Sequence, residues 1–452
     1  MPKAALTISK TLLALTLWGL AVIAAPATEF EGINYEFNTT SRTATVIALE
    51  NGRRYSGHVS VPEWVSTSKG SFRVTGIAMH AFYDCGDLKS VYLGPCVQEV
   101  GYEAFAWCTS LQLVRFGPEV LRVRTDAFLG CTGLEQVIAA SEASWCAIDF
   151  DGDNGRSNPL YYAHQLSIKS SIVHNLVLPN GVVALKPYAF VNSDLNSVKI
   201  NEDVSRVNML AFANCRNLLT LRIPNGLTSI ESSNDYGDLG QCFIETLILG
   251  DGLEMVPNGA FYHCASLQNV VFGKKLHHIG NMAFSGASGI TQLELPNSVS
   301  HIGVQAFEQC TNLRSLTIGT GVTSIASRAF AGCGFLTRIY MYAPASQITV
   351  LGDDIFDGVN TSRCVLYVPQ GQLAAYRSLR QFRKFDTILE LSEPTLGDIN
   401  GDGEVTVADL TMLIQIILYP DRQSPRILSR ADINKDGEIG ITDVVALVNI
   451  LM

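Results

Sequence analysis

The dipeptide Ala-Phe recurs along this chain, with phenylalanine at Phe82, Phe105, Phe128, Phe190, Phe212, Phe261, Phe284, Phe307 and Phe330. Most of the intervals repeat a single period; the two longer ones, Phe128 to Phe190 and Phe212 to Phe261, have room for degenerate or inserted units. One unit reads AFEQCTNLRSLTIGTGVTSIASR, Ala306 to Arg328. It holds two short alternating runs, Leu313, Leu316, Ile318 and then Val322 to Ile325, separated by a turn. A unit this small cannot bury an apolar face alone, so neighbouring units must stack into a solenoid. The period therefore predicts a β-rich solenoid of about 23 residues per coil, with the phenylalanines in a stacked interior column.

The cysteines follow the same period. Cys85, Cys108, Cys131, Cys215, Cys264, Cys310 and Cys333 each lie three residues after a phenylalanine, where other units place Ser193 and Ala287. The slot takes a small, weakly polar side chain. Stacked strands lie about 4.8 Å apart, slightly beyond the Cβ separation a disulfide prefers. These are expected to be buried thiols behaving as small hydrophobes. Any disulfide is expected among Cys96, Cys146, Cys242 and Cys364, which lie outside the slot.

The pattern AFxxCxxLxxLxI(P/G)xxVxxI resembles the BspA-like leucine-rich repeat family of bacterial surface and secreted proteins. The resemblance covers roughly residues 70 to 345. It extends to an insertion, SWCAIDF…SNPLYYAHQL…LVLPNGV, and to a closing segment, LYVPQGQLAAYRSLRQFRKFDTI. It implies surface binding or adhesion without specifying a ligand.

Two near-copies, DINGDGEVTVAD at 398 to 409 and DINKDGEIGITD at 432 to 443, depart from the repeat. Their spacing puts oxygen ligands at loop positions 1, 3, 5, 7, 9 and 12, with glycine at position 6 for the sharp turn that calcium loops require. The first would use Asp398, Asn400, Asp402, the Glu404 carbonyl, Thr406 and Asp409, around Gly403. The second would use Asp432, Asn434, Asp436, the Glu438 carbonyl and Asp443, around Gly437; Gly440 at position 9 leaves that place to water. Two calcium ions are expected as cofactors. A helical pattern follows each loop, Leu410, Leu413, Ile414, Ile417 and then Val444, Leu447, Val448, Leu451.

Duplicated loop-helix units without an entering helix resemble a type I dockerin, over about 396 to 452. The resemblance implies calcium-dependent folding and docking to a cohesin-like scaffold protein. Many dockerins carry hydroxyl residues at loop positions 10 and 11 and basic residues a turn later. Here those places hold Val407, Ala408, Ile441 and Thr442, then Ile414, Gln415, Val448 and Asn449. Recognition would be more apolar and of different specificity. Met412, Ile416 and Val445 lie off the main helical stripe, available for a binding patch or for docking on the last repeat.

Composition sets the remaining limits. The chain has 452 residues and a formal net charge of −10, which disfavours nucleic acid and anionic lipid as partners and favours cations. Lys3 and Lys10, the apolar run Leu12 to Ala24 and the small residues Ala25 to Ala27 read as a secretory signal peptide. The expected organisation is a signal peptide at 1–27, a β-rich N-terminal cap at 28–70, repeats at 71–345 with an insertion near 141–180, a closing cap at 346–392 and the calcium module at 396–452. The mature chain should be secreted or cell-surface associated, without a membrane span.

Several motifs imitate functional sites. DFDGDNGRSNPL, Asp149 to Leu160, has Asn154 at position 6 and Leu160 at position 12, so it reads as a solvated loop. His263 beside Cys264 is no catalytic pair, because adjacent residues in extended chain point apart. His277, His278 and His301 read as surface residues. HExxH, GxSxG and phosphate-binding glycine loops do not occur. The reading is a non-enzymatic binding or adhesion protein whose repeat surface meets a host or bacterial protein or glycan, tethered through the dockerin-like module. Two alternatives stand beside it. The module could be only a calcium-stabilised structural cap, or the chain could be a carbohydrate-active subunit of a secreted complex.

Overall fold

A computed structural model describes residues 25–152, 155–231, 243–391, 396–399, 404–418 and 430–452. The sequence features that fall at 1–24, at Asp153 and Asn154, at Cys242 and at Asn400, Asp402 and Gly403 lie outside the described residues.

The described chain opens with antiparallel strands Ala25–Phe30, Ile33–Asn38 and Thr43–Ile47. Alternation of INYEFN buries Tyr35 and Phe37 on one face. The third strand then pairs parallel with Gly70–Ile77, ending at Val46 opposite Ile77, and from there pairing between successive coils is parallel.

Each coil contributes two strands. The longer ones form ladders such as Gln292–Leu295, Ser315–Ile318, Arg338–Met341, Val365–Val368 and Thr387–Glu390. Leu293, Leu316, Ile339 and Leu366 are opposite one another and buried, whereas Glu294 and Thr317 point away from the core. The shorter strands, two or three residues each, form a second face: Glu99–Val100, Arg122–Val123 and Asp149–Phe150 in the early coils, and Met255–Val256 to Val350–Leu351 in the later ones. The register from Leu293 to Leu316 to Ile339 is the sequence period itself.

The Ala-Phe corner closes the coil and is a third ladder that sequence periodicity did not reveal. Phe82 donates its N–H to Ala104 O at 2.7 Å, Phe105 to Ala127 O at 2.8 Å, and Phe307 to Ala329 O at 2.8 Å. The corner turns because the residues two before and two after the ring take left-handed backbone, as at Glu103 (φ 47°) and Trp107 (φ 65°), or Gln305 (φ 56°) and Gln309 (φ 58°). Gly130 fills the second position in its coil (φ 75°), and an added Cβ there would meet the Trp107 ring at 2.6 Å.

Inside, the rings stack as the period predicts. Phe82 to Phe105 is 4.7 Å between centroids, Phe284 to Phe307 is 5.2 Å and Phe307 to Phe330 is 5.4 Å, the last two only 2° from parallel. The column continues into Phe356, 5.9 Å beyond Phe330, where Ile355 replaces the alanine and the Ala-Phe signature is lost.

The ten described cysteines are buried thiols, none of them in a disulfide. Those of the small slot do more than fill space. Cys108 Sγ donates to Phe82 O at 3.0 Å, Cys131 to Phe105 O at 3.1 Å, and Cys333 to Phe307 O at 3.4 Å. These thiols, with Cys215 and Cys310, thus bridge to the preceding coil's phenylalanine carbonyl. Cys96, Cys146 and Cys364, the described positions where any disulfide is expected, are thiols as well. Cys146 lies on the helix Glu142–Ala147 of the insertion, which is fastened to the next coil by Trp145 Nε1 donating to Ala189 O at 2.8 Å.

Candidate calcium centres and repeat surface

The second acidic loop wraps backbone N–H groups around its own side-chain oxygens. Asp432 accepts from Asp436 N–H and from Gly437 N–H, both at 3.1 Å. Asn434 Oδ1 accepts from Asp436 N–H at 2.9 Å, and its Nδ2 donates to Asp436 Oδ2 at 2.7 Å. Asp436 Oδ1 accepts from Glu438 N–H at 2.8 Å. The reversal passes through Lys435 (φ 59°) and Gly437 (φ 88°), the position reserved for glycine by the spacing. Asp443, at 0 % exposure, takes Ile433 N–H at 2.7 Å, Asn434 N–H at 3.2 Å and Gly440 N–H at 2.9 Å.

The first loop repeats the closing contacts. Asp409 is fully buried and accepts from Ile399 N–H and Thr406 N–H, both at 2.8 Å. Ile399 and Thr406 hold loop positions 2 and 9, as Ile433 and Gly440 do in the second loop, so the duplication is geometric as well as textual. Asp398 is 6 % exposed. Among the described residues no three His, Cys, Asp or Glu side chains converge closely enough to hold a metal ion. In kind, the donor set fits calcium: described carboxylates, an amide oxygen and main-chain carbonyls, with neither nitrogen nor sulfur. Buried carboxylates retain lone pairs beyond those their N–H partners occupy.

The helices Val407–Leu418 and Ile441–Leu451 pack together over a core of Ile399, Leu413, Ile416, Ala431, Ile433 and Leu447, a cluster distinct from the solenoid core. Ile416 is fully buried in this core, free neither for a binding patch nor for docking on the last repeat, while Ile414 of the predicted apolar stripe is 43 % exposed. Asp409 turns inward to collect its N–H donors, so the buried stripe runs through positions 409, 413 and 416. The outer face carries Val407, Ile414 and Leu418 on one helix, and Ile441 and Val445 on the other.

On the solenoid, Asp149 and Asp151 of the calcium-loop decoy are engaged by Arg122 and Arg124. His263 is exposed while Cys264 is buried, as alternate pointing requires. His278 and His301 were missed as a pair: they are opposite one another in successive coils, with rings 5.7 Å apart. Their separation by one repeat period was the available signal. Burial and the neighbouring His301 lower the His278 pKa.

The family model described as BspA type leucine rich repeat region matches six copies, over residues 69–145, 167–234 and 239–362. The dockerin type I domain model matches residues 396–452. Among solved structures, a leucine rich cell surface protein from Faecalibacterium prausnitzii is 18 % identical with a TM-score of 0.40, over 84 % of this chain and 99 % of that one. A leucine-rich repeat protein from Bacteroides ovatus is 20 % identical with a TM-score of 0.42, over 81 % of this chain and 100 % of that one. The pneumococcal vaccine antigen PcpA is 14 % identical with a TM-score of 0.37, over 81 % of this chain and 99 % of that one. No curated protein matches. Among the described residues no helix is long and apolar enough to cross a membrane.

Proposed function

Because this chain belongs to the BspA-type leucine-rich repeat proteins and carries a type I dockerin domain, we propose that it is an exported, non-enzymatic recognition protein. The solenoid presents the binding surface, and the dockerin tethers it to a cohesin-type partner. Neither matched family is an enzyme family.

The observation that carries the tethering role is the separate core of the module. A domain that only closed the solenoid would share apolar burial with the last coil. The chain already ends its repeat ladder without the module: the strand Thr387–Glu390 pairs parallel with Val365–Val368, and Tyr376, Phe382 and Phe385 are buried beside it.

Calcium would be held in the second loop by Asp432, Asn434, Asp436, the Glu438 carbonyl and Asp443. In the first it would be held by Asp398, Asn400, Asp402, the Glu404 carbonyl, Thr406 and Asp409. The ion would supply the positive charge that buried carboxylates require. The apolar outer face, Val407, Ile414 and Leu418 with Ile441 and Val445, supports docking driven by hydrophobic contact more than by hydroxyl hydrogen bonding.

Capture from the producing organism's envelope and medium tests this. Baits 28–452, 28–392, and 28–452 bearing Asp409→Asn with Asp443→Asn are compared, each in calcium and in chelator. The expected result is a partner taken only by the unsubstituted long bait, only in calcium. Equal capture by all three baits, or none that calcium controls, would reject the tether.

A further inference from the structure

Over the first coils, the face that carries the short strands holds a groove of about 950 Å³, within the range of ligand sites. Its lining includes Gly76, Ala78 and Gly101. A Cβ on Gly101 would come within 2.5 Å of Met79 N, so the lining there is bare backbone by necessity. Glu99, Arg122, Arg124 and Asp149 also line it; Met79, Tyr102 and Leu121 supply apolar surface, 61 %, 41 % and 56 % exposed.

The charged side chains form a ladder made by the coil register, since Glu99, Arg122 and Asp149 are directly opposite in successive strands. Arg124 Nε meets Glu99 Oε1 at 2.6 Å and its Nη1 meets Asp151 Oδ2 at 3.3 Å. Arg122 Nη2 meets Asp149 Oδ2 at 3.4 Å. Lys186, also in the lining, donates to Ala147 O at 2.8 Å. Arg122 and Arg124 are thus paired with Glu99 and Asp149 of the lining and with Asp151 just outside it, and Lys186 is engaged by a main-chain carbonyl. The paired groups remain partly exposed, and guanidinium and carboxylate each keep spare donors or acceptors.

That chemistry selects among ligands. A charged ligand would have to displace ion pairs the groove already makes within itself. An apolar ligand would strip water from these charged groups and pair none of them. A protein partner would centre on a patch poor in charge, because interface cores are depleted of charged residues. A neutral polyhydroxylated chain satisfies both halves of the ladder, its hydroxyls donating to carboxylates and accepting from guanidinium groups. Its C–H faces lie against Tyr102, Met79 and Leu121. Tyr102 is positioned from behind: His80 packs edge-on to it at 5.9 Å and is held by Glu103 at 3.2 Å.

We propose that this groove binds a neutral oligosaccharide, an inference that rests on reading the solenoid as the recognition surface. The test uses the full chain and affinity electrophoresis in gels containing xylan, mixed-linkage β-glucan, mannan, starch or the anionic polygalacturonate, with a random peptide library as a separate arm. Tyr102→Ala and Glu99→Gln are compared with the unsubstituted protein and with His301→Ala, which lies on later coils. Thermal unfolding of each variant checks that the fold is intact. The expected result is retardation by at least one neutral polysaccharide, weakened tenfold or more in both groove variants and unchanged in His301→Ala, with Tyr102→Phe restoring binding.

Retardation that ignores both groove substitutions would overturn the site while leaving the solenoid a binding surface. Enrichment of peptides, or retention on polygalacturonate alone, lost in the groove variants, would overturn the ligand class and keep the surface. Absence of binding in every arm would reject both. None of these outcomes bears on the dockerin tether, whose capture test is independent.

Discussion

The small slot three residues beyond each ring shows how one side chain serves packing and hydrogen bonding together. A thiol is small enough for the column and can still donate to the phenylalanine carbonyl of the preceding coil, as Cys108 does to Phe82. Ser193 keeps the polar atom, 3.4 Å from Cys215 Sγ, and Ala287 keeps only the size. Burial has an electrostatic consequence. It pushes the thiols of Cys146, Cys333 and Cys364 from 9.0 up to about 12. Between those values the folded chain holds protons that the unfolded chain has released, so stability falls as pH rises from about 9 towards 12. Each such thiol contributes roughly 1.4 kcal/mol per pH unit in that window. Urea midpoints measured from pH 7 to 11 should decline above pH 9, and less steeply in Cys333→Ala. A flat profile would show the thiols to be solvated.

At the scale of the element, the coil is held by its three ladders and by the ring column threaded between them. Phe307 is fully buried between Phe284 and Phe330. Phe307→Ala should cost about 3–5 kcal/mol, because it deletes the transfer energy of the ring and leaves a void that stacked coils cannot collapse into. Hydrogen exchange should localise the loss to the coils on either side, since each repeat contacts only its neighbours. Uniform loss along the whole array would contradict that picture. The repeat period made the two strands and the ring column legible in sequence. The left-handed corners were not legible, because Glu103, Trp107, Gln305 and Gln309 are not residues that announce positive φ. The helix stripe in the calcium module failed for a related reason. Hydrophobic spacing treats Asp409 as a polar outsider, yet its N–H partners bring it inside and rotate the buried face onto Ile416.

For the whole molecule, the separation of the calcium module's core from the main solenoid core implies two unfolding events. With calcium proposed to fold the module alone, chelation should lower the smaller calorimetric transition and leave that of the solenoid unmoved. A solenoid transition that shifts with calcium would favour the structural cap over the tether. Strong local periodicity dictated by itself much of what this protein is. The stacked coils, the interior rings, the buried thiols and the duplicated acidic loops all repeat at intervals the eye can count, and a one-dimensional array translates sequence separation directly into contact. Tertiary structure decided what depends on neighbouring coils. His278 came to rest against His301, Phe356 extended the column without its alanine, and an arginine-carboxylate ladder joined bare glycine backbone in the lining of one groove. Those features arise where side chains from different coils meet in space, and the composition of any single coil does not contain them.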